Sequence, residues 1–429
     1  MPQVTVARPE DPLAAILPAG AQPTTIAFIE AGTADGGSVS WLLSALTYLD
    51  RSRFQPLIIF YYSAQGATVE KIRALGVTML FASAKAPDDF PLWLRKQPRF
   101  WPLRKCQSLC RIAYRLLVRD ASIIRKVRKY LRDERAAAVV LNSDLHLQYC
   151  GAVAARLEKL PILCRKSGGL GEGVRIKKLL TPFVDVFVPI SKATEKDQLS
   201  NTSTKRSVLV YEGVDLSQYR GRRKDPALRA ALGLPENKKI VASIARLETG
   251  KGQAELIESA VEVLREFPET VFLIVGEETP PNGPITASLR DAVARLGLND
   301  SIVFAGARGD VPDILAISDV FVHCPTTWRE GLGICHLEAM ASGMPSVISR
   351  NGGLPEAAID GVTGVVVAPG DISAMSRAIL RFLTNPDLAD EFGKSARARA
   401  EHLFDIAANN TIYEHLLGEL ASRRTRREK

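Results

Sequence analysis

Two acids eight residues apart, Glu330 and Glu338, enclose the glycines Gly331 and Gly333. Without a Cβ, those glycines let a ligand come close to the backbone. A helix is expected over Ile334–Ser342. Its first amides lack intrahelical partners, point back at the glycines, and favour an anion. Glu338 lies about one turn into that helix, where a carboxylate can accept two hydrogen bonds from a vicinal diol such as a ribose. Glu330 stays in the loop, on the sugar side of any phosphates. Upstream, Arg246 and Lys251 sit in Ala245-Arg246-Leu247-Glu248-Thr249-Gly250-Lys251-Gly252. Two cations placed there can neutralise a diphosphate in place of a metal, and preorganised charge aimed at developing charge is often the largest catalytic contribution. A third glycine turn, Asn351-Gly352-Gly353-Leu354-Pro355-Glu356, follows the same pattern. Glu356 either reaches a ligand, orients its loop, or complements a helix dipole. Taken singly, the bland alternatives are a solvated loop for the cations and capping or surface acids for the glutamates.

The elements that must position these residues are short apolar runs alternating with helical stretches. Expected strands are Thr25–Glu30, Pro56–Tyr61, Ala137–Leu141, Pro161–Arg165, Val184–Pro189 and Val208–Tyr211, then Lys239–Ile244, Val271–Val275, Ile302–Phe304, Val320–His323, Pro345–Ile348 and Gly364–Val367. They are continuous rather than alternating, as strands covered on both faces of a parallel sheet must be. Helices between them make repeated βαβ units, so the fold class is α/β with two doubly wound, Rossmann-like domains. Ligands of such sheets bind at the carboxyl ends of the strands. With two domains facing each other, the site is expected in the cleft between them. The expected divisions are a loose leader over 1–23, a first Rossmann-like domain over 24–204, a second over 205–395, and over 396–429 a helix and basic tail.

The three motif stretches resemble the retaining glycosyltransferases of family 4, glycosyl transferases group 1, which have the GT-B fold. The resemblance covers residues 207–395 and rests on Gly213-Val214-Asp215, Arg246-Leu247, Lys251-Gly252, Gly276, Glu330-Gly331-x-Gly333, Glu338-Ala339-Met340-Ala341, Gly343-x-Pro345, Gly352-Gly353-x-x-Glu356, Gly361-x-x-Gly364 and Pro369-Gly370-Asp371. It implies that Arg246 and Lys251 hold the donor diphosphate, that Glu338 holds the ribose, and that Glu330 lies near the donor sugar. If the family topology holds, the tail helix, Asp390–Leu420, crosses back to the first domain. The first domain resembles the family less closely. Its Gly36-Gly37 turn after the strand Thr25–Glu30 is similar to the family's glycine turn, whose amides face the donor phosphate. Family members often carry a His after the strand equivalent to Pro161–Arg165; here Lys166 or Ser167 takes that place. Tyr211-Glu212 stands where Pro-Asn is usual. Asp144 and His146 follow the strand Ala137–Leu141 and are expected either to contact acceptor or donor or to form a polar turn; His323, His336, His402 and His415 are expected to be structural.

Charge is unevenly spread. The net charge is +9, and Lys85–Arg135 alone holds fifteen Lys/Arg against five Asp/Glu. Residues 90–132 mix Trp, Phe and Pro with cations and are expected to lie on an anionic membrane surface, where each Lys or Arg contributes about 1 kcal/mol. Arg111, Arg115 and Arg119 repeat every fourth residue on one face of the helix expected there. No nucleic-acid motif accompanies the charge. Met1–Ile16 lacks a basic stretch followed by an apolar run, so no signal peptide is expected. Leu13–Ile29 is broken by Pro18, Gly20 and Pro23 and cannot span a bilayer as a helix. The six cysteines, Cys106, Cys110, Cys150, Cys164, Cys324 and Cys335, form no CxxC pair, and no His stands at metal-ligand spacing. No metal or other cofactor is implied, and the compartment expected is a reduced cytoplasm at the inner face of a membrane. The expectation is a retaining transfer of a sugar from a nucleoside-diphosphate sugar to a hydroxyl of a lipid-linked saccharide, lipopolysaccharide or other surface-glycan precursor. The alternative is a non-catalytic binding protein on a degenerate transferase fold. A dinucleotide oxidoreductase ranks last, because no G-x-G-x-x-G with a following ribose-binding acid stands between a strand and a helix.

Overall fold

The computed structural model describes residues 22–31, 37–83, 115–166, 174–201, 206–219, 221, 223, 225–279 and 281–427. The chain divides into two compact units. One comprises Met1–Ile190, Glu195–Val210 and Asn410–Lys429; the other comprises Ser191–Thr194 and Tyr211–Asn409.

The first unit holds strands β1 (Thr24–Glu30), β2 (Phe54–Phe60), β3 (Thr78–Phe81), β4 (Ala138–Leu141), β5 (Ile162–Lys166) and β6 (Val186–Pro189). They form one parallel sheet in the order β3-β2-β1-β4-β5-β6. The second unit holds β7 (Lys239–Ile244), β8 (Thr270–Val275), β9 (Ile302–Gly306), β10 (Val320–His323), β11 (Ser346–Ser349) and β12 (Val365–Val367). Its order is β12-β11-β10-β7-β8-β9, all parallel. Counted from its own first strand, each sheet has the same doubly wound order, with winding reversing between the first and fourth strands. That is the fold expected from the continuous apolar runs: every residue of β4, β6, β8, β10 and β11 is buried. Each sheet carries its own core. The first is built on Ile29, Ile59, Val139 and Ile162, the second on Val241, Phe272, Val322 and Val347.

Three elements depart from expectation. β3 was not foreseen; it is a four-residue edge strand with no fully buried position, so its apolar signal is weak. Val208–Tyr211 forms no strand. It follows β6 through separate backbone bonds, Val208 N–H to Phe187 O at 2.9 Å and Val210 N–H to Pro189 O at 3.1 Å. The expected single tail helix is two, Pro386–Leu403 and Ile406–Arg427. The break has a cause: Val214 donates to Phe404 O at 2.8 Å and accepts from Ile406 N–H at 3.1 Å, diverting backbone groups a continuous helix would use. Gly213 permits that approach, since a Cβ there would lie 2.7 Å from the Ile406 backbone.

In the basic segment, a π-helical turn, Arg115–Asp120, leads into the helix Ala121–Asp133. Ile123, Val127 and Leu131 are buried at four-residue spacing, and Arg125, Arg128, Lys129 and Arg132 line its surface. Leu109, Ile112, Arg111 and the aromatic stretch before them lie outside the described residues. Arg119 is only 17% exposed and pairs with buried Asp120 at 2.9 Å, so it adds little to the cationic face, in which Arg128 and Arg132 meet Glu158 at 2.7 and 3.8 Å but stay more exposed. No described helix is long and apolar enough to cross a membrane.

Candidate functional site

The switch point of the second sheet lies between β7 and β10, which are adjacent and parallel. Two loops leave their carboxyl ends and interlock. Thr326 N–H donates to Gly250 O at 2.8 Å. Gly252, at φ +94°, caps the helix Gln253–Glu266, and a Cβ there would fall 2.2 Å from Cys324 O. The close contact between loops therefore depends on a residue without a side chain.

This interlock brings Lys251 and Glu330 together. Lys251 Nζ lies 2.5 Å from Glu330 Oε1, and both side chains are nearly covered, 11% and 12% exposed. Lys251 also sits 4.5 Å above the Trp328 ring. His323, the last residue of β10, approaches the same Glu330 oxygen at 3.2 Å through Nε2. Burial pushes the Glu330 carboxyl up, but the hydrogen bond and charge of His323, with Lys251, outweigh it and hold the group at about 2. Burial works against charge on His323 as well, yet its Cys335 and Glu330 neighbours push it up to about 10. Glu330 is thus ionised at neutral pH and has no proton to donate there. Sequence reasoning set His323 aside as structural; its place at a strand's carboxyl end was the signal that it reaches the site.

Behind Glu330, the helix Ile334–Ala341 starts at Gly333, whose φ of +85° is left-handed and which offers no side-chain cap. Its first amides are left for an anion. Glu338 lies one turn in. Its Oε1 accepts a hydrogen bond from the Tyr219 hydroxyl at 3.0 Å. Burial raises Glu338 to about 7; the Tyr219 bond lowers it and nearby Glu212 raises it. The two acids of one motif therefore stand in opposite electrostatic states.

Arg246 is not part of the Lys251–Glu330 contact. Its guanidinium is 55% exposed and meets Glu248 at 3.0 Å. The glycine turn after β11 supports the Glu330 loop: Gly353 N–H donates to Glu330 O at 3.0 Å, and the Asn351 side-chain amide donates to Thr326 O at 2.9 Å. Gly331 also lies in this packing, because a Cβ on Gly353 would come 2.0 Å from Gly331 O. Glu356 accepts the backbone N–H of Lys192 and of Ala193, each at 2.7 Å, so both its oxygens cap the start of the helix Lys192–Asn201.

In the first unit, Gly37 opens the helix Gly37–Tyr48, while Gly36 and Ser167 lie outside the described residues. Lys166 ends β5. Asp144 is fully buried after β4; its Oδ2 lies 2.9 Å from Lys177 Nζ and its Oδ1 3.2 Å from His146 Nδ1. Asp197 stands 3.9 Å from the same lysine. Next to them, Asn142 donates to buried Glu30 at 2.6 Å and to Ser38 O at 2.8 Å. Fully buried Arg165 lies 4.3 Å over Trp41. Glu30 and Arg165 shared His323's signal, a place at the carboxyl end of an expected strand, whereas Lys177 had none beyond charge. Among the described residues no group of three or more His, Cys, Asp or Glu could hold a metal ion. Cys150, Cys164, Cys324 and Cys335 form no disulfide with one another.

Comparison with known proteins gives this site its context. Residues 224–399 match the family model Glycosyl transferases group 1. The matched stretch contains Arg246, Lys251, Glu330, Glu338 and Glu356. Over 217 residues the chain is 30% identical to the lipopolysaccharide core biosynthesis mannosyltransferase LpsB of Rhizobium meliloti, covering 49% of this chain and 61% of that protein. It is 36% identical over 198 residues to a GDP-mannose-dependent α-(1-6)-phosphatidylinositol monomannoside mannosyltransferase of Mycolicibacterium smegmatis, covering 43% and 49%. The chain thus spans between about half and three-fifths of these relatives' lengths. In structure it is similar to Anabaena HepE in complex with UDP and glucose, with a TM-score of 0.73, 20% identity and coverage of 92% and 99%. A glycosyltransferase from Rickettsia africae superposes with a TM-score of 0.75 at 16% identity, covering 93% and 99%. At these identities the likeness carries the fold, which is GT-B.

Proposed function

We propose that the protein is a retaining glycosyltransferase that moves a sugar from a nucleoside-diphosphate sugar to an acceptor hydroxyl. The observation that carries this reading is the second unit's switch point. There an uncapped helix N-terminus and the half-buried Glu338 follow Glu330 along one strand-to-helix turn, and the neighbouring loop after β7 brings Lys251 against Glu330. The amides and Lys251 suit a diphosphate, and Glu338 suits the ribose diol. The family match over 224–399 supports the same assignment.

The residues constrain the chemistry. Glu330, ionised down to about pH 2, cannot act as a general acid at neutral pH. Its role is to hold Lys251 and His323 in place while phosphate charge develops. The acceptor proton then goes to the departing phosphate. Arg246 is free to swing from Glu248, since an exposed pair of this kind is worth only about 0–1 kcal/mol. A catalytic role for this arrangement, rather than ligand binding alone, is favoured by the intact set of Arg246, Lys251, Glu330 and Glu338.

One relative uses GDP-mannose, and the HepE complex holds UDP. Both nucleotides are therefore candidates, with a lipid-linked saccharide or lipopolysaccharide precursor as acceptor. The cationic face of the helix Ala121–Asp133 supports placement on an anionic membrane surface at its cytoplasmic side. The deciding experiment is donor hydrolysis and transfer with a panel of UDP- and GDP-sugars on a cell lipid extract, with products read by mass spectrometry. Lys251→Ala is expected to lower turnover about 10²-fold or more. Should no sugar nucleotide be bound or hydrolysed, or should Lys251→Ala leave turnover intact, the reading fails.

A further inference from the structure

Glu338 does not stand alone on its helix: a second side chain already occupies one of its oxygens. We propose that Tyr219 is a positioning residue for nucleotide binding, which fixes Glu338 through one carboxylate oxygen, leaves the other to the ligand diol, and so sets the pH range in which the nucleotide binds. This rests on the assignment of Glu338 to the ribose.

The geometry supports a built arrangement rather than a chance contact. Tyr219 lies 119 residues from Glu338 in sequence, is 7% exposed, and donates through its hydroxyl at 3.0 Å. The segment bearing Tyr219 is anchored from both sides. Arg397, on the helix Pro386–Leu403, donates to Tyr219 O at 2.7 Å and also to Ala341 O, the last residue of the helix that carries Glu338. One guanidinium thus ties the phenol's backbone to the carboxylate's own helix. Upstream, Asp215 caps the short turn Leu216–Gln218 through Ser217 N–H at 3.1 Å, fixing the approach to Tyr219. A phenol hydroxyl can donate only one hydrogen bond. Spent on Oε1, it leaves Oε2 for the ligand.

Among the described residues, the titratable groups acting on Glu338 are Tyr219 and Glu212; Asp215 acts on Tyr219, and Arg397, itself paired with Glu401 at 2.6 Å, holds the backbone of both segments. The ionised carboxylate offers a charged, proton-free acceptor on each oxygen, one for Tyr219 and one for the diol, and accepts both bonds more strongly than the neutral acid. Burial and Glu212 oppose ionisation, and the Tyr219 bond favours it. Removing the phenol hydroxyl therefore moves the group's titration further up. A ligand that needs the ionised form releases a proton on binding wherever Glu338 is protonated beforehand. Its affinity falls about tenfold for each pH unit below the midpoint.

The test is calorimetric titration of the full chain with UDP and, separately, GDP from pH 5.5 to 9, in two buffers of different ionisation enthalpy. Wild type should release a proton near pH 7, with affinity rising to a plateau above it. Tyr219→Phe should weaken binding about tenfold at pH 7, the scale of a hydrogen bond to a charged group, and shift the midpoint to higher pH. Glu338→Gln should bind weakly and keep only the pH dependence of the phosphate, whose second ionisation falls near pH 6. A Tyr219→Phe profile lowered equally at every pH, or with an unmoved midpoint, overturns the inference while leaving the ribose assignment standing. If instead Glu338→Gln binds both nucleotides as wild type does, or wild type binds neither, the ribose assignment itself fails. Should Tyr219→Phe not fold, wild type decides: no proton release beyond that of Glu338→Gln overturns the inference.

Discussion

The carboxyl ends of the two sheets are furnished in opposite ways. In the second unit, the charged groups of the candidate site stand on glycine loops and a helix start and are partly covered: Lys251 and Glu330 are 11% and 12% exposed, and Arg246 is 55% exposed. In the first unit, the polar groups at the equivalent edge are sealed in. Asp144, Lys177, Glu30, Asn142 and Arg165 are each no more than 1% exposed. The same topology therefore supports two uses of charge. One edge leaves charges partly exposed on its loops; the other buries them in the Asp144–Lys177, Glu30–Asn142 and Arg165–Trp41 contacts.

The largest effect that would break this contrast is expected at the sealed edge. Lys177→Ala removes the cation 2.9 Å from buried Asp144, and breaking a buried ion pair by removing one partner costs about 3–5 kcal/mol. Denaturant unfolding of the full chain should show that loss. A change below about 1 kcal/mol, the worth of a surface pair, would mean that water reaches the cluster and that the two edges do not differ in kind.

A smaller effect separates the two acids of the second unit. Glu330 titrates at about 2, below its ordinary range near 4.5. It contributes stability that is complete above about pH 4.5 and is lost as pH falls towards 2. Glu338 titrates at about 7, above that range. Its contribution is complete below about pH 4.5 and is lost as pH rises through 7. Glu338→Gln should therefore gain about 3 kcal/mol relative to wild type on going from pH 4 to pH 8, while Glu330→Gln should lose stability relative to wild type over pH 2 to 5. Unfolding measured across pH for both variants checks this, and parallel curves would contradict the opposed states of the two acids.

How much of this was legible follows the same division. The Glu330–Glu338 motif and the loops of Arg246, Lys251 and Glu356 are local patterns: a strand, a glycine turn and a helix start within a dozen residues. Their elements fall where the apolar runs put them, with β7 and β10 matching the expected bounds. Contacts that arise from folding were not legible. Tyr219 meets Glu338 across 119 residues, and no spacing rule connects them. Lys177 reads in sequence as one more cation of a surface helix, because nothing local reveals that its side chain turns inward to Asp144. Glu356 was legible as an acid beside a glycine turn, but its partners, the Lys192 and Ala193 amides, come from a distant stretch. β3 escaped because a half-buried edge strand lacks the continuous apolar run of its neighbours.

The smallest stability effect belongs to the outer face of the first unit, and there it is informative. Lys129 meets Asp133 at 3.8 Å with side chains 69% and 56% exposed, a helix pair worth at most about 0.5 kcal/mol. Lys129→Ala should leave unfolding nearly unchanged. If the face formed by Arg125, Arg128, Lys129 and Arg132 rests on lipid, the same substitution should weaken flotation with vesicles containing anionic lipid by about one surface cation's share, near 1 kcal/mol or fivefold. Neutral vesicles should be bound equally weakly by both proteins. Equal flotation with both vesicle types would remove the electrostatic attraction and leave these cations as a solvated helix face. A loss confined to anionic vesicles, with stability intact, would add a third use of charge to the two sheet edges: one turned outward to a surface.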